Sequence, residues 1–278
     1  MKLNCIFLRA LDASSPDKYE AAFDALGPGC KGVCVPVLET ILLNIDKLKE
    51  VITRKPTVDA VIMTSARSCE AWKTAFTQSA HGQTESWSNV LFYVVGATTA
   101  AVLRDIYQST GQIRGEQTGT AEQLAKFILE DLPHDRPKCL LYLTGDKNRD
   151  TLASALNKDN IDLKSIQVYG TRGSARFPAD LSEALKNLER DADWWITFFA
   201  PSAAEFVYPH LQAHFRFQSV DVDASTGSLP LAQIASIGPT TASFLHDSLQ
   251  LYVNVVSTKP NPDALVAAIR DQSEQLYK

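Results

Sequence analysis

The sequence predicts an α/β protein of two similar lobes, each a parallel sheet covered by helices, with two extended crossovers between them and a cleft. Three observations predict it. Apolar strand-like runs alternate with helical patterns along most of the 278 residues, as βα units in parallel sheets do. Two motifs occur twice, in the same order and at similar separation. Two extended segments, near residues 33–39 and 163–169, stand without a helix partner.

The first repeated motif joins residues 93–105 to residues 233–247. Both pass from a short apolar segment through Gly-x-Thr-Thr-Ala into a helical pattern. Each reads as a strand, a tight turn needing Gly, and a helix whose first turn carries two hydroxyls. Such a turn aims free amides and the positive end of the helix dipole beyond the strand, which suits an anion. The second motif joins residues 59–72 to residues 194–207. In each a hydrophobic strand breaks at a small residue, and Glu70 and Glu205 take equivalent places in the helix that follows.

Taken in order, residues 3–8 form a first strand closed by Arg9, and 16–26 a helix stopped at Gly27. The run from Gly27 to Gly32 has G-x-G-x-x-G spacing. It follows a helix and precedes a strand, the reverse of a dinucleotide turn, so it reads as a helix stop and a turn. An extended segment, 33–39, alternates around Pro36, and a helical pattern covers 44–54. Then come strand 60–63, helix 67–80, strand 90–95, helix 98–108, a short segment near 112–115, and helix 121–131 with Thr120 as its cap. Strand 139–143 ends in Thr144-Gly145-Asp146, before a short helix at 152–156. A second lone extended segment, 163–169, leads to the turn at 170–173. Alternation resumes with helix 179–190, strand 194–199, helix 202–211, strand 231–237, helix 240–249, strand 252–256 and helix 263–275.

Composition narrows the function. A net charge of −5 without a basic stripe argues against nucleic acid as a partner. No apolar run reaches the length of a membrane span, and the N-terminal apolar stretch is too short for a signal peptide. Five scattered cysteines, Cys5, Cys30, Cys34, Cys69 and Cys139, fit a reducing, cytoplasmic location. Cys30 and Cys34 lack a second pair to complete a metal site, and His210 and His214, at i,i+4, lack a third ligand. No metal or cofactor is expected.

The residues Val61-Ile-Met-Thr-Ser-Ala-Arg67, Val94-Val-Gly-Ala-Thr-Thr-Ala100, Tyr142-Leu-Thr-Gly145, Val168-Tyr169, Phe198-Phe-Ala-Pro-Ser202 and Ile237-Gly-Pro-Thr-Thr-Ala242 together resemble the uroporphyrinogen-III synthase family. They span nearly the whole chain in family order. The resemblance implies flavodoxin-like lobes: a discontinuous domain of residues 1–33 and 174–278, a second of 45–160, and a two-stranded antiparallel linker of 34–44 and 161–173. It implies a cytoplasmic lyase of heme biosynthesis that closes a linear tetrapyrrole, hydroxymethylbilane, with inversion of the last ring through a spiro intermediate. The substrate carries eight carboxylates, which a net-negative protein must hold with local donors.

Ser65, Thr99, Ser202, Thr240 and Thr241 lie where helix N-termini would supply such donors, alongside Gly145; N-capping alone is the competing role for the hydroxyls. Arg9 and Arg67, beside strand ends, suit carboxylates, or solvent. Tyr169 suits the catalytic role, because departure of hydroxide needs a proton donor or a hydrogen bond to the leaving oxygen; a plain crossover residue is the alternative. A monomer acting on a small molecule is expected. Two other readings share this architecture. One is a non-catalytic two-lobed binder of a polycarboxylate. The other is a glycosyl- or phosphoryl-transfer enzyme, which would need a carboxylate pair or phosphate loop that the sequence does not present.

Overall fold

The computed structural model describes all residues except 12–15, 80–86, 88, 106–111, 134–137, 148–150, 160, 220–227 and 277–278. The last positions expected for the helices at 67–80 and 98–108 lie outside the described residues. The chain divides into two compact units, residues 1–39 with 172–278 and residues 40–171.

The second unit is continuous in sequence. Strands β4 (Ala60–Met63), β5 (Leu91–Val94), β6 (Ile113–Arg114), β7 (Cys139–Thr144) and β8 (Asp162–Gln167) form one sheet in the order β6-β5-β4-β7-β8. Every pairing in it is parallel. Alternation along β4 explains the layers: Val61 and Met63 enter one core with Trp72, Trp87 and Phe92, while Ala60 and Ile62 enter the other with Leu124, Tyr142 and Leu156. Helices α2 (Ile45–Thr53), α3 (Ala66–Gln78) and α4 (Gly96–Arg104) cover the first face; α5 (Ala121–Asp131) and α6 (Thr151–Lys158) cover the second.

The first unit is assembled from both ends of the chain. Strands β1 (Leu3–Leu8) and β2 (Cys30–Cys34), with α1 (Lys18–Asp24) between them, join β10 (Asp193–Phe198), β11 (Arg216–Phe217), β12 (Leu231–Ser236) and β13 (Val255–Val256). The order is β11-β12-β10-β1-β2, with β13 also on β12, and all pairs are parallel. Helices α7 (Phe177–Lys186), α8 (Pro201–Leu211) and α9 (Pro239–Leu249) belong with one face, and α1 with α10 (Pro262–Leu276) with the other. The repeated motifs therefore occupy equivalent places, as β4-α3 with β5-α4 in one sheet and β10-α8 with β12-α9 in the other.

Two strands, β3 (Leu38–Leu42) and β9 (Tyr169–Gly173), form a separate antiparallel pair. Two details of the expected crossovers differ from the sequence reading. The extended segment around Pro36 is two strands, because Pro36 interrupts the run between β2 and β3. Residues 162–167 are not a lone crossover but the edge strand β8, paired with β7 over six residues. Its mostly exposed side chains hid it, as those of an edge strand do.

The two glycine turns also differ. Gly96 has φ +80°, a left-handed conformation that L side chains avoid. Gly238 has φ −179°, extended backbone open to any residue, and a Cβ there would meet nothing within 4 Å. Only the first turn requires glycine. Gly96→Ala is therefore expected to destabilise the fold by about 1–2 kcal/mol, whereas Gly238→Ala should stay within about 0.5 kcal/mol of the parent. Denaturant melts of the two variants check this, and equal losses would contradict it.

Candidate functional site

Each sheet is wound in both directions from a central strand, which in open α/β sheets leaves a crevice at the carboxyl ends where the order reverses. In the second unit the reversal falls between β4 and β7. In the first it falls between β10 and β1.

At the β4–β7 reversal the chain leaves β4 through Thr64 and Ser65. The Ser65 hydroxyl caps α3, its Oγ accepting from the Arg67 amide at 3.1 Å. β7 ends at Thr144, and Gly145 follows. A Cβ on Gly145 would collide with the Tyr169 ring, so the ring lies directly on this glycine. Tyr169 is fixed from both sides in sequence. The Val168 amide donates to the Thr144 carbonyl at 2.9 Å, and the Thr171 amide donates to Asp146 Oδ2 at 3.0 Å. The Arg67 guanidinium stands 5.9 Å from the Tyr169 ring centroid and is otherwise exposed. Tyr169 is half-buried, and its hydroxyl has no hydrogen-bond partner among the described residues.

A second phenol, on β7, lies near it. Tyr142 is buried, with its hydroxyl 3.4 Å from Thr64 Oγ1. Burial pushes its pKa above the usual tyrosine value; the Thr64 contact opposes this and the neighbouring Tyr169 adds to it. At the carboxyl ends of β4 and β7, Gly145 and Arg67 thus meet Tyr169, Ser65 caps the helix that carries Arg67, and Thr64 meets Tyr142. Sequence reasoning passed over Tyr142 because it sits inside an apolar strand, where a tyrosine reads as core.

Thr99 is placed differently from the expectation. It is buried in the α4 core, and its carbonyl accepts from Cys69 Sγ at 3.6 Å. The exposed first-turn hydroxyl is Thr98. The same split recurs in the first unit, where Thr240 is exposed and Thr241 is buried. Helical geometry causes it: adjacent residues are 100° apart, so one hydroxyl of a Thr-Thr pair turns inward.

In the first unit a cavity of about 400 Å³ is lined by residues 199–201 and 237–241 with Ser257, Thr258 and Pro260. It takes in the N-termini of α8 and α9. Neither has a side-chain cap, and each begins with a proline. The first-turn amides of Ser202 and Ala203, and of Thr240 and Thr241, are left to whatever binds there. The N-terminus of α4 is likewise uncapped, whereas α1, α3 and α5 spend the side chains of Asp17, Ser65 and Thr120 on their own amides. α2 and α7 also lack such a cap, so an open N-terminus marks a site here only in company with the reversal and the cavity. Ser202 is exposed on the first turn of α8. Arg9 closes β1, with its guanidinium 5.8 Å from the Phe199 ring centroid.

Among the described residues no group of three His, Cys, Asp or Glu side chains has metal-binding geometry. His210 is a packing residue, with its ring 5.8 Å from Phe177 and 5.5 Å from Phe206. No described helix is long and apolar enough to cross a membrane.

Known proteins match this arrangement along most of its length. The family model described as uroporphyrinogen-III synthase HemD matches residues 17–267. The uroporphyrinogen-III synthase of Saccharomyces cerevisiae is 27% identical over 267 residues, covering 91% of this chain and 90% of that protein. The Schizosaccharomyces pombe protein of the same name is 27% identical over 257 residues, covering 91% of both chains. Among solved structures, uroporphyrinogen-III synthetase from Helicobacter pylori 26695 aligns with a TM-score of 0.46 and 17% identity over 98% of this chain and 99% of that one. With the family model covering most of its length, the chain belongs to the uroporphyrinogen-III synthase family.

Proposed function

We propose that this protein cyclises hydroxymethylbilane to uroporphyrinogen III, with loss of water and inversion of ring D. The observation that carries the mechanism is the Tyr169 phenol, laid on Gly145 at the β4–β7 reversal with its hydroxyl unspent among the described residues. Its O–H donates to the departing hydroxyl of the terminal hydroxymethyl group. The C–O bond breaks, the oxygen leaves as water once protonated, and an azafulvenium cation remains. Attack by the substituted carbon of ring D gives the spiro intermediate. The bond between that carbon and the neighbouring bridging carbon then breaks, leaving a second azafulvenium cation; ring D, now inverted, bonds to it through its free carbon, which loses its proton to the tyrosinate.

Holding the bilane in one conformer supplies much of the rate, because closure is intramolecular once the ends meet. The carboxylates are taken by local donors. In the second unit these are Ser65, Arg67 and the first turn of α4, through Thr98, whose side chain is exposed, rather than the buried Thr99. In the first unit they are Arg9, Ser202, Thr240 and the Thr241 amide. The hydroxyls and backbone amides among these add hold on an octacarboxylate without further titratable groups. We also infer a cytoplasmic monomer needing neither cofactor nor nucleic acid. The competing reading, a binder without catalysis, is separated by product isomer: incubated with fresh bilane, a binder leaves only the spontaneous, uninverted type-I ring.

Two variants probe the phenol. Tyr169→Phe keeps the ring on Gly145, so melting should be unchanged while turnover falls by roughly ten- to ten-thousand-fold. Parent-level turnover in a well-folded Tyr169→Phe would remove the phenol from the mechanism. Gly145→Ala displaces the ring instead; turnover should fall at least about tenfold, with the type-I fraction rising. An unaltered type-III yield would show that the ring's position on Gly145 is immaterial.

A further inference from the structure

Arg9 is held more elaborately than a solvated strand-end arginine needs. Its Nη1 donates to Asp17 Oδ2 at 2.6 Å and to Cys34 Sγ at 3.6 Å. Its guanidinium carbon lies 4.8 Å from the Tyr19 ring centroid and 5.8 Å from that of Phe199. These two rings meet edge to face at 5.1 Å, so they form a fixed aromatic seat for the cation. The Asp17 carboxylate is 0% exposed. Its other oxygen accepts from the Tyr19 amide at 2.9 Å as the cap of α1, and lies 3.5 Å from Cys34 Sγ. The arginine side chain is still 22% exposed.

What this leaves open is specific. All the acceptors are spent on Nη1; Nε and Nη2 have none among the described residues. Those two nitrogens form one edge of the planar fork, and that edge matches a carboxylate bidentately. The guanidinium that carries this edge stands at the β10–β1 reversal, its carbon 5.8 Å from the centroid of Phe199, which lines the cavity at the α8 and α9 N-termini. We propose that the Nε–Nη2 edge of Arg9 binds one substrate carboxylate, and that Asp17 is a positioning residue that fixes this edge toward it. The inference rests on the bilane-cyclase reading above and adds a residue to it. Asp17 also neutralises the arginine, so the site selects by directed donors more than by net charge. A lysine at position 9 could pair with Asp17 but would offer no fork.

The test is a double-mutant cycle on the full chain, using hydroxymethylbilane as substrate and type-III product as readout. Arg9→Lys is expected to raise KM about tenfold with kcat within about threefold, because the lost contact is made equally in ground and transition states. Asp17→Asn keeps an oxygen for the α1 cap, and Asp17→Ser provides a second capping replacement should the first fold poorly. Either should raise KM in the same direction. The combined Arg9→Lys/Asp17→Asn variant should be no worse in KM than Arg9→Lys alone, since Asp17 acts on binding through the arginine. Multiplicative effects on KM, or an Asp17 variant that lowers the melting temperature while leaving KM at the parent value, would overturn the positioning role. An unchanged KM in Arg9→Lys would overturn the carboxylate contact. Failure of the underlying reading looks different: the parent protein itself would form no type-III product.

Discussion

The reversal of winding at β4 and at β10 is the constraint on which the rest of this structure depends. A parallel sheet has to be covered on both faces, so its connections must run to both sides, and the central strand is where they part. Two neighbouring strands then end side by side with their following loops turned away from each other. In the second unit this leaves room for Tyr169 over Gly145; in the first it leaves room for Arg9 beside Phe199. Neither feature needs a special sequence beyond a small residue or a planar cation at a strand end. Their chemistry follows from where the topology puts them.

The helix N-termini belong to the same account. α8 and α9 begin with a proline, which fixes the first helical φ and has no amide to satisfy, and among the described residues neither has a side-chain cap on its first-turn donors. α1, α3 and α5 are capped in the usual way. A cap stabilises a helix by about 0.5–2 kcal/mol, so leaving these ends open costs stability that an anion would restore. A chain of net charge −5 thereby gains local positive potential without basic side chains.

Much of this was legible in the sequence, and the failures have physical causes. The strands buried on both faces, such as Leu3–Leu8 and Asp193–Phe198, announced themselves as apolar runs. The edge strand Asp162–Gln167 did not, because only Ile166 is fully buried along it. Tyr169 and Gly145 were each legible as motif residues, but that one rests on the other is a tertiary fact without a local signal. The Thr-Thr pairs showed that a helix starts, not which hydroxyl turns outward. Asp17 was taken into the first helix, when it is in fact the cap just outside it, and its partnership with Arg9, eight residues earlier, leaves no local signal. What sequence gives well is periodicity and burial; what it gives poorly is the direction of individual polar groups.

The divided origin of the first unit bears on how the protein is made. β1 lies between β2 and β10, and Leu3 pairs with Asp193. A ribosome releasing the chain from its N-terminus therefore delivers β1, α1 and β2 long before the partner that covers the other edge of β1. The continuous unit, residues 40–171, has its whole sheet available first. Loop-closure entropy makes such distant pairings slow, and an apolar strand with a bare edge is exposed to aggregation while it waits. During synthesis this N-terminal βαβ fragment carries an uncovered apolar edge until β10 arrives, and a pause in translation before residue 193 would prolong that exposure.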